Sequence, residues 1–176
     1  MPRSYLEGEL EEHQTVAAAT LAAVAPSFDR LLSACAVSIR SGGKILLFGN
    51  GGSAADAQHL ATELTVRFVA NREPIAAIAL TTDTSALTAI GNDLGFDQLF
   101  SRQISALGRA GDVAIGISTS GRSSNVLVGL RTAKEMDIVP AAFGGGDGGD
   151  LVGLADPLIL IPSTTTARIQ EMHIAV

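Results

Sequence analysis

The stretch FGNGGSAADAQHLATEL, Phe48–Leu64, decides how the chain folds. An apolar run ends in it at Gly49, a turn of glycines and small polar residues follows, and an Ala-rich segment with helical spacing starts near Ser53. A strand that passes through glycines into a helix is the opening of a βαβ unit. Outward from it, the apolar runs KILLFG (44–49), IAAIAL (75–80), DVAIGIS (112–118), IVPAAFG (138–144) and PLILIP (157–162) alternate with helical patterns. That alternation predicts an α/β fold: a three-layer, doubly wound, five-stranded parallel sheet with helices on both faces.

Upstream, Ser4–Val24 reads as a helix whose apolar stripe, Leu6, Leu10, Ala17, Leu21 and Val24, wants a partner. Pro26 sits where a second helix would begin and Gly42 and Gly43 where it would end, so residues 1–43 are expected to form an α-hairpin before a core at 44–176. With 176 residues the chain suits one domain. GGGDGGD (144–150) reads as a flexible loop at a strand end. The tail TTTARIQEMHIAV opens on threonines suited to capping and enters a helix with no stop signal before Val176.

A formal charge of −6 argues against general nucleic-acid binding, which needs a basic surface. No unbroken apolar run reaches the roughly 18 residues of a membrane span, and the N-terminus MPRSYLEGELEEH is acidic where a signal peptide is basic. Cys35 is the only cysteine, so no internal disulfide can form. A cytoplasmic protein without membrane partners is expected.

Ligands of open parallel sheets bind beyond the carboxyl ends of the strands, which draws attention to two loops. GNGGSAAD (49–56) offers close backbone approach at Gly51 and Gly52 and polar contacts at Asn50 and Ser53, but matches neither the dinucleotide nor the P-loop pattern. ISTSGRSSN (117–125) places Ser118, Thr119, Ser120 and Ser123 ahead of a helix near Ser124, where hydroxyls, free amides and the helix dipole suit a phosphate. Arg122 adds a positive charge to that loop, facing either the anion or solvent.

His59 and Glu63 share one face of a helix expected over 53–70. The pair suits a divalent metal or a division of acid and base work, and equally a plain surface ion pair; Arg67 extends the face. Asn92 and Asp93 read as a helix end, and His13 and Cys35 as structural.

Taken together, GNGGSAADAQHLATEL, ALTTDTSALTAIGNDLGFDQLFSRQ, GDVAIGISTSG and RIQEMH resemble the phosphoheptose isomerases, a branch of the sugar isomerase (SIS) fold, from about Leu31 onward. The resemblance implies a flavodoxin-like core and phosphate binding by Ser118, Thr119, Ser120 and Ser123. It implies sugar contacts from Asn50, Gly51, Gly52, Ser53, Asn92 and Asp93, with Glu63 and Gln170 also at the substrate. One zinc ion per subunit would be held by His59, Glu63 and Gln170, with Glu63 and His59 catalytic. The family's remaining zinc ligand is a histidine two turns after the glutamine; His173 matches a different family histidine. The implied reaction interconverts sedoheptulose 7-phosphate and D-glycero-D-manno-heptose 7-phosphate through an enediol, toward ADP- or GDP-heptose for lipopolysaccharide or capsule. The implied assembly is a homotetramer. A non-catalytic SIS relative that associates with the bacterial replication initiator is the alternative. It carries a tail like ARIQEMH but lacks the catalytic metal residues, so the His59/Glu63 pair favours the enzyme.

Overall fold

The structure, a computed structural model, describes residues 4–176. Five parallel strands, β1 (Ile45–Gly49), β2 (Ala77–Ala79), β3 (Val113–Ile117), β4 (Val139–Gly145) and β5 (Leu158–Ile161), line up in the order β2-β1-β3-β4-β5. Four fall within the apolar runs identified above, and β4 runs one residue past its run, to Gly145. Successive residues of β1 point to opposite faces: Ile45 and Leu47 join one core with Val113, Ile115 and Ile117, while Leu46 and Phe48 join the other with Ala114. Both faces are buried, as a parallel sheet requires.

Helices cover them. On the first face lie α1 (Tyr5–Arg40), α2 (Gly52–Thr65) and α6 (Thr166–Ala175), contributing Val16, Val24, Leu31, Ala57, Ala61, Ile169 and Met172. On the second lie α4 (Leu99–Leu107) and α5 (Ser124–Glu135), with α3 (Thr84–Asp93) resting at the edge and burying none of its residues fully. Gly116 of β3 leaves the room into which Val126 and Leu130 of α5 settle.

The expected α-hairpin is one continuous helix. Pro26 lies inside α1 with its ring exposed, at a position where a missing N–H costs about 3 kcal/mol or more. Val16 and Val24 before it and Leu31 after it pack on the same core, and no glycine next to Pro26 would let the chain reverse. Long-range burial on both sides outweighs the local break. Ser4 starts the helix with a capping box in which Glu7 N–H donates to Ser4 Oγ and Ser4 N–H to Glu7 Oε2. Leu6, Leu10 and Leu21 of the expected stripe remain exposed.

Helix α1 is also long and apolar enough, by length and composition, to cross a membrane, which corrects the expectation that no segment has that character. Ala, Thr and Ser dilute its Leu and Val, so it holds no unbroken apolar run, although no Asp, Glu, Lys or Arg falls between Glu12 and Asp29. Its buried side face nonetheless belongs to the core of the sheet.

Arg168 of α6 is buried and docks that helix on the start of α1: it donates to the Glu9 carbonyl and, through Nη2, to Glu9 Oε2 at 3.1 Å and Glu171 Oε1 at 2.7 Å. Glu171 also pairs with His13 Nδ1 at 2.8 Å, and Thr165 Oγ1 donates to Glu12 Oε1 at 2.6 Å.

Candidate active site

The chain runs from β1 to β2 on one side and returns to β3 on the other, so the sheet reverses its order between β1 and β3. Crevices at such reversals hold ligands in doubly wound folds. Gly49 ends β1 opposite Ile117, which ends β3, so the loops beginning at Asn50 and Ser118 emerge side by side. They are tied together. Asn50 Nδ2 donates to Asn125 Oδ1 at 2.8 Å and Asn125 Nδ2 donates back to Asn50 Oδ1 at 2.9 Å. Asn125 is buried at the start of α5.

In the second loop Ser118 Oγ donates to Ser123 Oγ at 3.0 Å. Ser123 is the N-cap of α5, but its side chain makes no capping bond, so the first-turn amides of that helix have no side-chain acceptor from the cap. Hydroxyls and uncapped amides at one helix start form an anion site. By contrast, Asp83 caps α3 by accepting from Ala86 N–H at 2.9 Å.

GGGDGGD is not the free loop expected from composition. Gly144 and Gly145 belong to β4, and the rest turns back onto the Ser/Thr loop: Asp150 N–H donates to the Gly121 carbonyl at 3.0 Å and Asp147 Oδ2 accepts from Arg122 Nη2 at 2.7 Å. Gly121, at φ +66°, approaches the Gly148 carbonyl so closely that no Cβ fits between them. The glycines are where two backbones touch. Arg122 is thus committed to Asp147 and the Ser120 carbonyl. The pairing raises the Arg122 guanidinium and lowers the Asp147 carboxyl.

Behind the glycine loop, His59 Nε2 and Glu63 Oε1 stand 3.7 Å apart on α2. Two ligands of one tetrahedral zinc, at bonds of about 2.0–2.2 Å, stand about 3.4 Å apart. The pair fits such an ion. Gln170 of α6 faces Gly52 with its carboxamide and donates through Nε2 to Asp56. Among the described residues no three of His, Cys, Asp and Glu gather as a metal cluster, so a further donor such as the Gln170 amide oxygen is needed. His59 and Glu63 also border a cleft of about 390 Å³, otherwise mainly apolar, with Phe28, Leu31, Phe68 and Phe143 in its wall.

Helix α2 stops at Thr65, short of the expected 70, and Val66, Phe68 and Val69 beyond it stay largely exposed. Arg67 therefore leaves the His59/Glu63 face, and Arg72 reaches the site instead by donating to the Glu63 carbonyl at 2.8 Å. Asn92 and Asp93 are exposed at the end of α3, where Asn92 Nδ2 donates to Asp93 Oδ1 at 2.7 Å. They bond each other and not the glycine loop.

His173 is wholly buried with Nε2 3.0 Å from the Gly144 carbonyl. A carbonyl only accepts, so Nε2 carries the proton. Burial pushes this imidazole below its ordinary value against the opposing pull of the Gly144 carbonyl and the Asp56 charge. It packs against β4, away from solution. Burial likewise pushes the Cys35 thiol up to about 11, leaving it a packing residue. Asn125 and Asp56 are the site residues that sequence reasoning did not single out; the signal for each is a polar side chain near the start of a helix after a strand.

The profile of the SIS domain family matches residues 10–145. The phosphoheptose isomerase of Paramagnetospirillum magneticum is 60% identical over 173 residues, spanning 98% of this chain and 90% of its own. Among solved structures, the phosphoheptose isomerase of Neisseria gonorrhoeae superposes with a TM-score of 0.92 at 45% identity, covering 97% of this chain and 91% of that one. That of Francisella tularensis gives 0.93 at 35%, with the same coverage. The chain belongs to the SIS domain family and, within it, to the phosphoheptose isomerases.

Proposed function

We propose that this chain is an aldose–ketose isomerase that interconverts sedoheptulose 7-phosphate and D-glycero-D-manno-heptose 7-phosphate in heptose biosynthesis. The single observation that carries the reading is the His59–Glu63 pair at 3.7 Å directly behind a glycine loop that Asn50 and Asn125 tie to an anion site. Relatives of up to 60% identity that bear the phosphoheptose isomerase name support it.

Ser118, Thr119, Ser120, Ser123 and the first amides of α5 take the phosphate, fixing one end of the sugar. The chain of the sugar then lies along Asn50, Gly51, Gly52 and Ser53. Glu63 removes a proton from C1 of the ketose, which leaves an enediolate with its charge on the C2 oxygen; the hydroxyl proton passes from the C1 oxygen to the C2 oxygen, and Glu63 returns its proton to C2 as the aldehyde forms at C1. His59, beside it, holds the carboxylate in place. A zinc ion held by His59, Glu63 and Gln170 would supply a positive charge for the enediol oxygens. Asn92 and Asp93 complete the sugar contacts from the end of α3.

A homotetramer in the cytoplasm is part of the proposal: Leu6, Leu10 and Leu21 leave an apolar stripe exposed on α1 that isologous packing would cover. Light scattering would then give four times 18.0 kDa. The activity is tested by consumption of sedoheptulose 7-phosphate by chelator-stripped protein with and without added zinc. Zinc-dependent turnover is expected; a folded protein that binds the sugar phosphate and turns over nothing in either condition overturns the reading in favour of a binding protein.

A further inference from the structure

The two ends of a glutamine carboxamide are alike in shape and opposite in chemistry: one donates, the other accepts. Gln170 directs Nε2 at Asp56 Oδ2. A carboxylate accepts and does not donate, so this pairing admits only one orientation, nitrogen toward Asp56 and oxygen away from it. The whole carboxamide lies against Gly52, where an added Cβ would sit 2.7 Å from Oε1 and 3.0 Å from Nε2, so the orientation is set by the Asp56 pairing. Asp56 is also in step with the pair on α2, since positions 56, 59 and 63 follow the i, i+3, i+7 spacing of one helix face.

We propose that Asp56 is a positioning residue, which locks the Gln170 carboxamide so that Oε1, its only atom able to ligate a cation, is presented to the glycine loop and the His59/Glu63 face. The inference rests on the reading of Gln170 as a zinc ligand given under Proposed function. Groups of this kind, which orient a ligand without touching the metal, typically change metal affinity or activity about 10- to 100-fold when altered. Asp56→Asn keeps the shape but removes the instruction, because an amide can donate to Oε1 as readily as it accepts from Nε2. Gln170→Glu sets two carboxylates against each other. Combining the two substitutions restores one donor facing one acceptor and again leaves an oxygen toward the site.

The test uses the full chain in four forms: unaltered, Asp56→Asn, Gln170→Glu and the double variant. Zinc affinity is read by competition with a chromogenic chelator, and thermal midpoints are read without metal. We expect Asp56→Asn to bind zinc about 10- to 100-fold more weakly with little change in its metal-free midpoint, and the double variant to regain most of the affinity. Unchanged zinc affinity in Asp56→Asn overturns the proposal, as does a loss of affinity matched by collapse of the metal-free midpoint, which would make Asp56 merely structural. If the unaltered chain takes up no zinc, the metal reading itself falls. The metal-free arm then decides the pairing alone: Gln170→Glu lowers the midpoint and Asp56→Asn restores it, whereas independent effects overturn the positioning.

Discussion

Asn50 and Asn125, 75 residues apart, exchange two hydrogen bonds at 2.8 and 2.9 Å and so clamp the glycine loop to the start of α5. Asn125→Leu matches the size of the side chain but strands the Asn50 amide. Leaving a buried polar group unpaired costs about 1–3 kcal/mol, so the urea midpoint should fall by that equivalent. The KM for the sugar phosphate should rise, since both loops are proposed to contact it. Steady-state kinetics beside urea titration check both.

Glu63→Gln keeps the shape of the proposed base but not its charge. The kcat should drop by about 10²–10⁴-fold while the fold is kept, because that is the usual worth of a positioned general base. Turnover measured with zinc content determined alongside separates loss of the base from loss of the metal. Near-normal kcat would remove Glu63 from proton transfer.

Gly121→Ala forces a Cβ against the Gly148 carbonyl at a φ of +66°. Left-handed strain and overpacking together should cost about 2–4 kcal/mol and loosen the anion loop. Gly42→Ala is the comparison: φ is +81° but nothing lies within 4 Å, so only the strain of about 1–2 kcal/mol applies. Denaturant midpoints of the two variants should differ accordingly.

The buried His173 resists protonation in the folded chain, its value lying below the ordinary 6.5. The unfolded chain therefore binds the proton first, and stability falls as pH drops from about 6.5 toward the folded value. The contribution is fully present above that window. Thermal midpoints from pH 8 to 5 should decline through it, and His173→Gln should flatten that part of the profile. At lower pH a second loss follows from Asp112. Burial raises this carboxyl, but bonds from Lys44 Nζ at 2.6 Å, Lys44 N–H at 2.9 Å and Arg109 N–H at 2.8 Å more than offset it and hold it below the usual range.

The sheet was legible because its strands are apolar on both faces and sit between glycines and prolines; Ile45, Leu46, Leu47 and Phe48 announce it in four consecutive letters. The anion loop and the His59/Glu63 spacing were legible for the same local reason. What escaped depends on partners far along the chain. Pro26 obeys a local rule that Val24 and Leu31 override by packing on the sheet. The glycines at 146–149 look like slack until Gly121 is seen against them. Asp56 in the first turns of α2 gives no hint that its acceptor serves Gln170, 114 residues later.

The Arg168–Glu9 contact closes a span of 159 residues. A chain leaving the ribosome makes the start of α1 long before α6, and the guanidinium that docks it becomes available only 159 residues after Glu9. Through that interval Glu9 has no Arg168 to receive it and Val16 has no Met172 of α6 in its cluster. Helix α1 is thus secured long after it is made, and the nascent chain carries this 36-residue helix in search of cover. Chaperone demand should accordingly concentrate on α1, and a release of that demand should coincide with emergence of α6.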